Sequence, residues 1–311
     1  MENSGKINEL KTKIEQTLLP LIDGPYAFLD LPYYTNTGDT LIWEGTRQFL
    51  KKVPHKALYS SSANRYKLRN IAKNAVILLQ GGGNFGNLWD KHQKFRIEVM
   101  KKYPANKIIV LPQSVCYTNE NDAVSDAAQM AGHKNTLIFA RDSVSFDFLK
   151  KYFKNNIGLL PDMAFCINPF TLQKYALPEE NKSLLLKRTD KELSAGTDYE
   201  EVLKRMNFPP EIRDWPTLEN DFHKARVLRR FISKKIYPEF IANWYADKKF
   251  RPAMIKEGVE FISPYKEIYT TRLHGAILAF LLGKSCKVID NSYNKNTNFI
   301  NTWLKESTFI K

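Results

Sequence analysis

Short apolar runs alternating with amphipathic stretches constrain this chain more than any other feature. ALYSS (57–61), AVILLQ (75–80), KIIVLPQS (107–114), TLIFARD (136–142) and IGLLPDMAF (157–165) read as short strands. Near-continuous apolar runs of this kind belong to parallel strands covered on both faces. Between them, KFRIEVMKKYP and SVSFDFLKKYF place apolar residues at helical spacing and carry lysines in the last turn, where a cation complements the helix dipole. Strand, crossover helix and parallel strand connect right-handedly, so the alternation predicts a doubly wound α/β sheet.

A second set comes after these: SLLLKRT (183–189), a helical region over about 219–250, KEIYTTR (266–272) and KVIDNS (287–292). Between the sets, Asn168 to Asn181 shifts to Pro, Gln and charged residues, the composition of a linker. At 311 residues and 43% apolar content the chain can build two cores. The expectation is two doubly wound, Rossmann-like domains, 1–167 and 168–311, facing a cleft, with the last helix packing back on the first domain.

Cys116, Cys166 and Cys286 are dispersed, with no C-x-x-C spacing. That argues against a disulfide framework and against zinc, and fits a reducing compartment. The N-terminus is polar and helix-like, with no apolar signal region, and no run approaches a membrane span. A cytoplasmic protein is expected. The formal charge of +14 attracts phosphates, nucleic acid, anionic lipid and acidic substrates alike. The modules of a nucleic-acid reader are absent, so nucleic acid is not an expected partner. HKARVLRRFISKKIYPEF (223–240) sets basic residues around an apolar stripe. It reads either as a helix lying on anionic lipid at the inner membrane face or as a surface helix packed on the core.

The chemistry-bearing residues sit at strand ends. In TTRLHGAI (270–277), Arg272 and His274 lie between a strand and an apolar helix. Ligands of α/β sheets bind at such junctions, where helix N-termini favour anions. A permanently charged arginine beside a histidine that titrates near neutrality suits an anionic substrate needing proton transfer, although an isolated R-x-H triplet is also common in structural networks. QGGGNFGNLWD (80–90) satisfies G-x-G-x-x-G formally, but the next strand ends in Pro112, Gln113 and Ser114 rather than the acid a dinucleotide ribose needs. No Lys-Ser/Thr comes after the glycines either, so Gly82, Gly83 and Asn84 belong to a tight turn or to a loop that admits a ligand. Asp39 or Thr40 can cap the helix after NTGD (36–39). Arg141 at a strand end is open to a salt bridge or to an anion clamp, and Asp162 to a turn or a binding role. Arg188, at the end of SLLLKR, has the same ambiguity.

Taken in order, NTGD (36–39), GGGNFGNLWD (81–90), LPQS (111–114), ARDSVS (140–145), LLPDMAF (159–165), KRTD (187–190), TTRLHGAI (270–277) and DNSYNKN (290–296) resemble the polysaccharide pyruvyl transferase family, especially its bacterial exopolysaccharide branch. The resemblance covers about residues 30–305 and leaves 195–220 without a match. It implies a two-domain GT-B-like fold with the active site in the cleft. It also implies transfer of the enolpyruvyl carbons of phosphoenolpyruvate to a sugar as a ketal. Carried over by motif, Arg272, Arg141 and Lys295 hold the phosphoenolpyruvate anion, with Arg188 a weaker fourth, and His274 is the acid/base. Asp39 and Asp162 are expected on the acceptor side with the glycine segment.

No metal or other cofactor is expected beside this donor substrate, and the acceptor is expected to be a sugar, including one carried on a polyprenyl diphosphate. Two rivals remain. A GT-B glycosyltransferase would keep the fold and the basic cleft but bind a nucleotide sugar. A non-catalytic binding protein of a polysaccharide locus would not need His274.

Overall fold

The computed structural model describes residues 2–67, 70–190, 192–193, 197–216, 218, 230, 232, 237–290, 294–308 and 310. The elements run α1 (Glu2–Leu18), β1 (Tyr26–Leu29), α2 (Thr37–Leu50), β2 (Ala57–Ser61), β3 (Val76–Leu79), β4 (Gly82–Phe85), α3 (Asp90–Lys102), β5 (Ile108–Val115), α4 (Glu120–Ala131), β6 (Thr136–Ala140), α5 (Ser143–Tyr152), β7 (Asn156–Leu159) and α6 (Phe170–Gln173). They continue β8 (Glu180–Leu186), α7 (Tyr199–Lys204), β9 (Pro210–Arg213), α8 (Glu239–Tyr245), α9 (Arg251–Ile262), β10 (Tyr265–Thr270), α10 (Leu273–Leu281), β11 (Cys286–Val288) and α11 (Lys295–Trp303).

The first sheet has the order β2-β1-β3-β5-β6-β7, with β4 pairing β5 off that path, and every described pairing is parallel. The strands sort their side chains by the period of two. Phe28, Val76, Leu78, Ile109 and Leu111 join Leu10, Ile14 and Leu18 of α1 and Leu41 and Phe49 of α2 in one core. Leu29, Ile77, Leu79, Ile108, Val110 and Ile138 join Phe95, Val99 and Met100 of α3, Met130 of α4 and Leu149 of α5 in the other. Both faces are therefore apolar because both are covered, which is what the unbroken runs anticipate.

The second sheet, β11-β10-β8-β9, is also parallel. α10 is buried almost all round, as an evenly apolar helix must be. α11 returns to the first sheet's helices: Trp303 Nε1 donates to the Arg141 carbonyl at 2.7 Å, and Ser143 N donates to Thr302 Oγ1 at 3.1 Å.

Three strands lie outside the runs read from the sequence. β1 (YAFL) is only four residues and comes directly after Gly24-Pro25, β4 is glycine-rich, and β9 (PEIR) is polar. The expected glycine loop thus contains a short strand. The helical region extends further than expected: after α8 a π-helical turn, Ala246–Phe250, leads into α9. Most of the basic stretch 223–236 lies outside the described residues, as do Asn291, Ser292 and Tyr293 of the DNSYNKN motif. Among the described residues no helix is long and apolar enough to cross a membrane.

Candidate active site

A cavity of about 540 Å³ lies where the C-terminal ends of strands from both sheets meet. It is lined by Arg141 and Asn84 from the first set of elements, by Arg188, Arg272, His274 and Lys295 from the second, and by Gly38, Asp39 and Gly83. The strand-end addresses read from the sequence therefore converge on one place.

The start of α2 forms one wall. Asn36, not Asp39 or Thr40, is the cap: its side chain accepts from Gly38 N at 2.9 Å and Asp39 N at 3.4 Å. Asp39 is thereby left to the cavity, where Tyr34 Oη donates to its Oδ2 at 3.0 Å. The His274 ring lies over Gly38, where a Cβ would come within 2.8 Å of Nδ1. Gly83 plays the same part opposite. A Cβ there would collide with Lys295 Nζ and come within 2.9 Å of Arg141 Nη2. Gly82 takes φ +145° beside Ile42 and Asp39, a conformation that glycine adopts without steric cost. Asn84 is gripped by the buried Arg96, whose Nη1 donates to its carbonyl at 3.0 Å and whose Nη2 reaches its Oδ1.

Arg141 and Asp162 are fully buried. Arg141 Nη1 donates to Asp162 Oδ2 at 2.7 Å and Nε to Ser114 Oγ at 2.9 Å. Ser114 in turn donates to Asp142, the N-cap of α5, at 2.6 Å. Arg141 Nη2 is buried with no hydrogen-bond partner among the described residues. Asp162 Oδ1 accepts from Ala164 N at 2.8 Å, and Oδ2 faces His274 Nε2 at 3.4 Å. Burial alone would push this carboxyl up. The charge and hydrogen bond of His274, and then Arg141, outweigh it and hold Asp162 well below the usual carboxylate range. Asp162 thus touches both the arginine and the histidine.

The second sheet supplies three more cations, each met by a carboxylate. Arg272, the residue before α10, donates through Nη2 to Asp214 Oδ2 at 2.6 Å and through Nε to Asp214 Oδ1, and reaches Asp190 Oδ2 at 3.2 Å. Arg188 grips Asp190 through Nε at 2.8 Å and Glu192 through Nη1 at 2.7 Å. Asp190 would rise with burial, but Arg188 and Arg272 bring its pKa below the usual value. Lys295 Nζ lies 3.5 Å from Glu192 Oε2. Burial lowers its pKa, Glu192 opposes that, and Arg141 and Arg188 add to it. Asn296 fixes the start of α11 by donating to the Thr271 and Ile289 carbonyls, both at 2.9 Å.

Several residues that line the cavity or hold its cations escape a reading of the sequence. Asp214 comes just after the polar strand β9, and Glu192 just after the KRTD motif. A carboxylate three to four residues from Arg188 was the available signal for Glu192. His92 also lines the cavity, its Nδ1 2.8 Å from Oδ1 of the buried Asp30. Asp30 has φ +66°, uncommon for a residue with a side chain. Trp89, partly exposed, donates from Nε1 to Glu192 Oε1 at 3.3 Å. Trp89 lies within the GGGNFGNLWD motif without having been singled out, and His92, two residues beyond that motif, had no sequence signal.

The sequence profile of the family described as Polysaccharide pyruvyl transferase matches residues 36–293. EpsO of Bacillus subtilis (strain 168) is 32% identical to this chain over 98% of it and 94% of that protein. Pyruvyl transferase 1 of Schizosaccharomyces pombe (strain 972 / ATCC 24843) is 29% identical over 91% of this chain and 70% of its own length. The crystal structure of a functionally uncharacterised protein from Klebsiella pneumoniae subsp. pneumoniae NTUH-K2044 superposes with a TM-score of 0.60 at 21% identity, over 96% of each chain, and shares the fold. With its profile match spanning the cavity residues from Asn36 to Arg272 and His274, this chain belongs to the polysaccharide pyruvyl transferase family.

Proposed function

We propose that the cavity binds phosphoenolpyruvate and transfers its enolpyruvyl carbons to two hydroxyls of a sugar, forming a ketal and releasing phosphate. The observation that carries this reading is the convergence of Arg141, Arg188, Arg272 and Lys295 on His274 in one cavity. Phosphoenolpyruvate carries about three negative charges at neutral pH, two or so on the phosphate and one on the carboxylate. Several fixed cations are needed to replace its hydration. Arg141 Nη2 supports the reading further, being a buried donor with no partner among the described residues, beside Lys295.

In this reading His274 protonates C3 of the enol, which becomes the methyl group, and C2 becomes oxocarbenium-like. One sugar hydroxyl adds to C2 and gives its proton back to His274. The second hydroxyl forms the other C2–O bond as the C2–O bond to phosphate breaks, and its proton leaves as part of hydrogen phosphate. The ionised Asp162 lies beside His274 Nε2 and stabilises the imidazolium that donates to C3 and that forms again when the hydroxyl proton returns; such acid–base catalysis is typically worth about 10²–10⁴-fold in rate. Elements of both sheets border the cavity, which supports reading 1–167 and 168–311 as two domains, with phosphoenolpyruvate held mainly by the second. The acceptor sugar then lies toward Asp39, His92 and Trp89.

The test is phosphate release from phosphoenolpyruvate in the presence of a sugar acceptor, lipid-linked hexoses included. Release that depends on acceptor and falls by about 10²-fold or more in His274→Ala is expected. Release indifferent to His274, or thermal stabilisation by a nucleotide sugar but not by phosphoenolpyruvate, sinks the proposal in favour of glycosyl transfer.

A further inference from the structure

We propose that the outer face of α8 and the π-helical turn after it, built on Phe240, Trp244 and Lys248, docks this protein on an anionic lipid bilayer. Phe240 is 73% exposed and Trp244 55%. Four residues apart on one helix, they lie on the same side, with Lys248 a further turn along. The opposite side is built inward: Ala242, Ala246 and Phe250 are completely buried.

The helix is firmly held, so the exposed rings do not result from a loosely placed segment. The Glu239 carboxylate accepts from Ser61 Oγ at 2.6 Å and from Tyr59 Oη, both on β2. Asn243 Oδ1 accepts from Tyr33 Oη at 2.8 Å, and its Nδ2 donates to the Ser60 carbonyl at the end of the same strand.

The charges of this face are sorted as the rings are. Its acids turn inward: Glu239 meets the β2 hydroxyls, and Asp247 meets Arg47 at 3.0 Å and Arg251 at 3.1 Å. Its bases turn outward. The Lys248 side chain is 60% exposed even though its Nζ comes within 3.5 Å of Asp247, and Lys249 is exposed. The sequence entering α8 holds Lys224, Arg226, Arg229, Arg230, Lys234 and Lys235, with no acid between Asp221 and Glu239. A protein partner would need a shaped pocket for two bulky rings. Amphipathic rings at the headgroup level with cations beside phospholipid phosphates need only a surface. An anionic bilayer is the occupant this sorting favours.

The position gives the docking a purpose that rests on the proposed transfer reaction. Asn243 binds Tyr33, and the next residue, Tyr34, lines the cavity and donates to Asp39. The helix that carries the docking face is therefore tied to the chain segment on the side of the cavity assigned to the acceptor, where a lipid-linked sugar would arrive from the membrane.

The experiment is co-sedimentation of the full chain with phosphatidylcholine vesicles and with phosphatidylglycerol-rich vesicles, repeated on Phe240→Ser/Trp244→Ser. Binding to the anionic vesicles alone is expected, weakened by salt, with partition reduced about tenfold or more in the double variant. Both side chains are exposed, so an unchanged melting temperature checks that the variant folds. Trp244 fluorescence is expected to be quenched by brominated lipid, and Trp244→Phe to remove that quenching while keeping the binding. Equal binding by the double variant overturns the proposal. So does absence of binding to anionic vesicles, or a concentration-dependent self-association that the double variant loses. Vesicle binding needs neither phosphoenolpyruvate nor acceptor, so failure of the transfer reaction and failure of the docking face are read separately.

Discussion

Asp162 accepts Arg141 and faces His274 with no exposure to solvent. Removing its charge leaves the two cations opposed without an anion between them, a change that costs about 3–5 kcal/mol when one partner of a buried pair is lost. Asp162→Asn is expected to lower the melting temperature at neutral pH and to reduce turnover more than phosphoenolpyruvate binding, because the imidazolium loses its counter-charge. The pH dependence has a definite sign. The Asp162 carboxyl titrates lower in the folded chain than its unfolded value of about 3.9. Its stabilisation is therefore complete above about pH 4 and is lost as pH falls toward the folded value. Melting temperatures measured from pH 7 downward should drop more steeply for the wild type than for the variant below about pH 4. Parallel curves would show that Asp162 is not the group responsible. Glu192 presents the opposite case. Its carboxylate occupies Arg188 and Lys295, the cations proposed to take the substrate anion, so substrate must compete with it. Glu192→Gln is expected to tighten phosphoenolpyruvate binding several-fold, measured by titration calorimetry. Weakened binding would show instead that Glu192 positions the two cations.

Among the elements, β4 shows most directly how backbone and chemistry meet. Gly83 leaves room for Lys295 Nζ and Arg141 Nη2 where any side chain would displace both. Gly83→Ala is expected to raise the KM for phosphoenolpyruvate about tenfold or more, because about 1.4 kcal/mol of lost contact already gives that factor. The melting temperature should move little, since the displaced groups are charged ends rather than core. A KM unchanged from wild type would mean that the anion does not use those two cations together. The same element marks where the sequence stops being readable. Ile77, Val110 and Ile138 announce their strands because parallel strands covered on both faces must be apolar. Gly82 to Phe85 and Pro210 to Arg213 do not, because the first is half glycine and the second is a polar strand at the edge of its sheet. The contacts that these two strands set up were hidden with them. Asp214, which holds Arg272, comes at the end of β9, and Arg96, which grips Asn84, looks like an ordinary charge on an amphipathic helix. Arg141, Arg272, His274 and Lys295 were legible because they end strands or open helices within ordered motifs. Of their carboxylate partners Asp162 was read as a site residue, but its pairing with Arg141 and His274 was not, and Asp214 was not read at all, since pairing between chain segments far apart leaves no local spacing to read.

At the scale of the whole molecule, the cavity joins two separate sheets, and a ligand in it must couple them. Arg141 stands at the end of β6 in the first sheet, while Arg188 and Arg272 come after strands of the second and Lys295 opens α11. A trianion bound by all four ties the two sheets in the folded state and has no comparable site in the unfolded chain. Stabilisation by such a ligand obeys mass action, about 2.7 kcal/mol at a hundredfold excess over Kd. For domains of this size each kcal/mol moves the midpoint by roughly 2–4 °C, so phosphoenolpyruvate should raise the melting temperature by about 5–10 °C. Because the contribution is shared across the sheets, Arg141→Gln and Arg188→Gln should each remove most of the rise. Inorganic phosphate, which lacks the carboxylate, should give a smaller one. Calorimetric scans of the two variants with and without phosphoenolpyruvate decide the matter. If Arg141→Gln keeps the full rise, the anion rests on the second sheet alone and Arg141 Nη2 serves another ligand. If Arg188→Gln keeps it, the Arg188 pairings with Asp190 and Glu192 are structural, and the first sheet with Lys295 holds the donor.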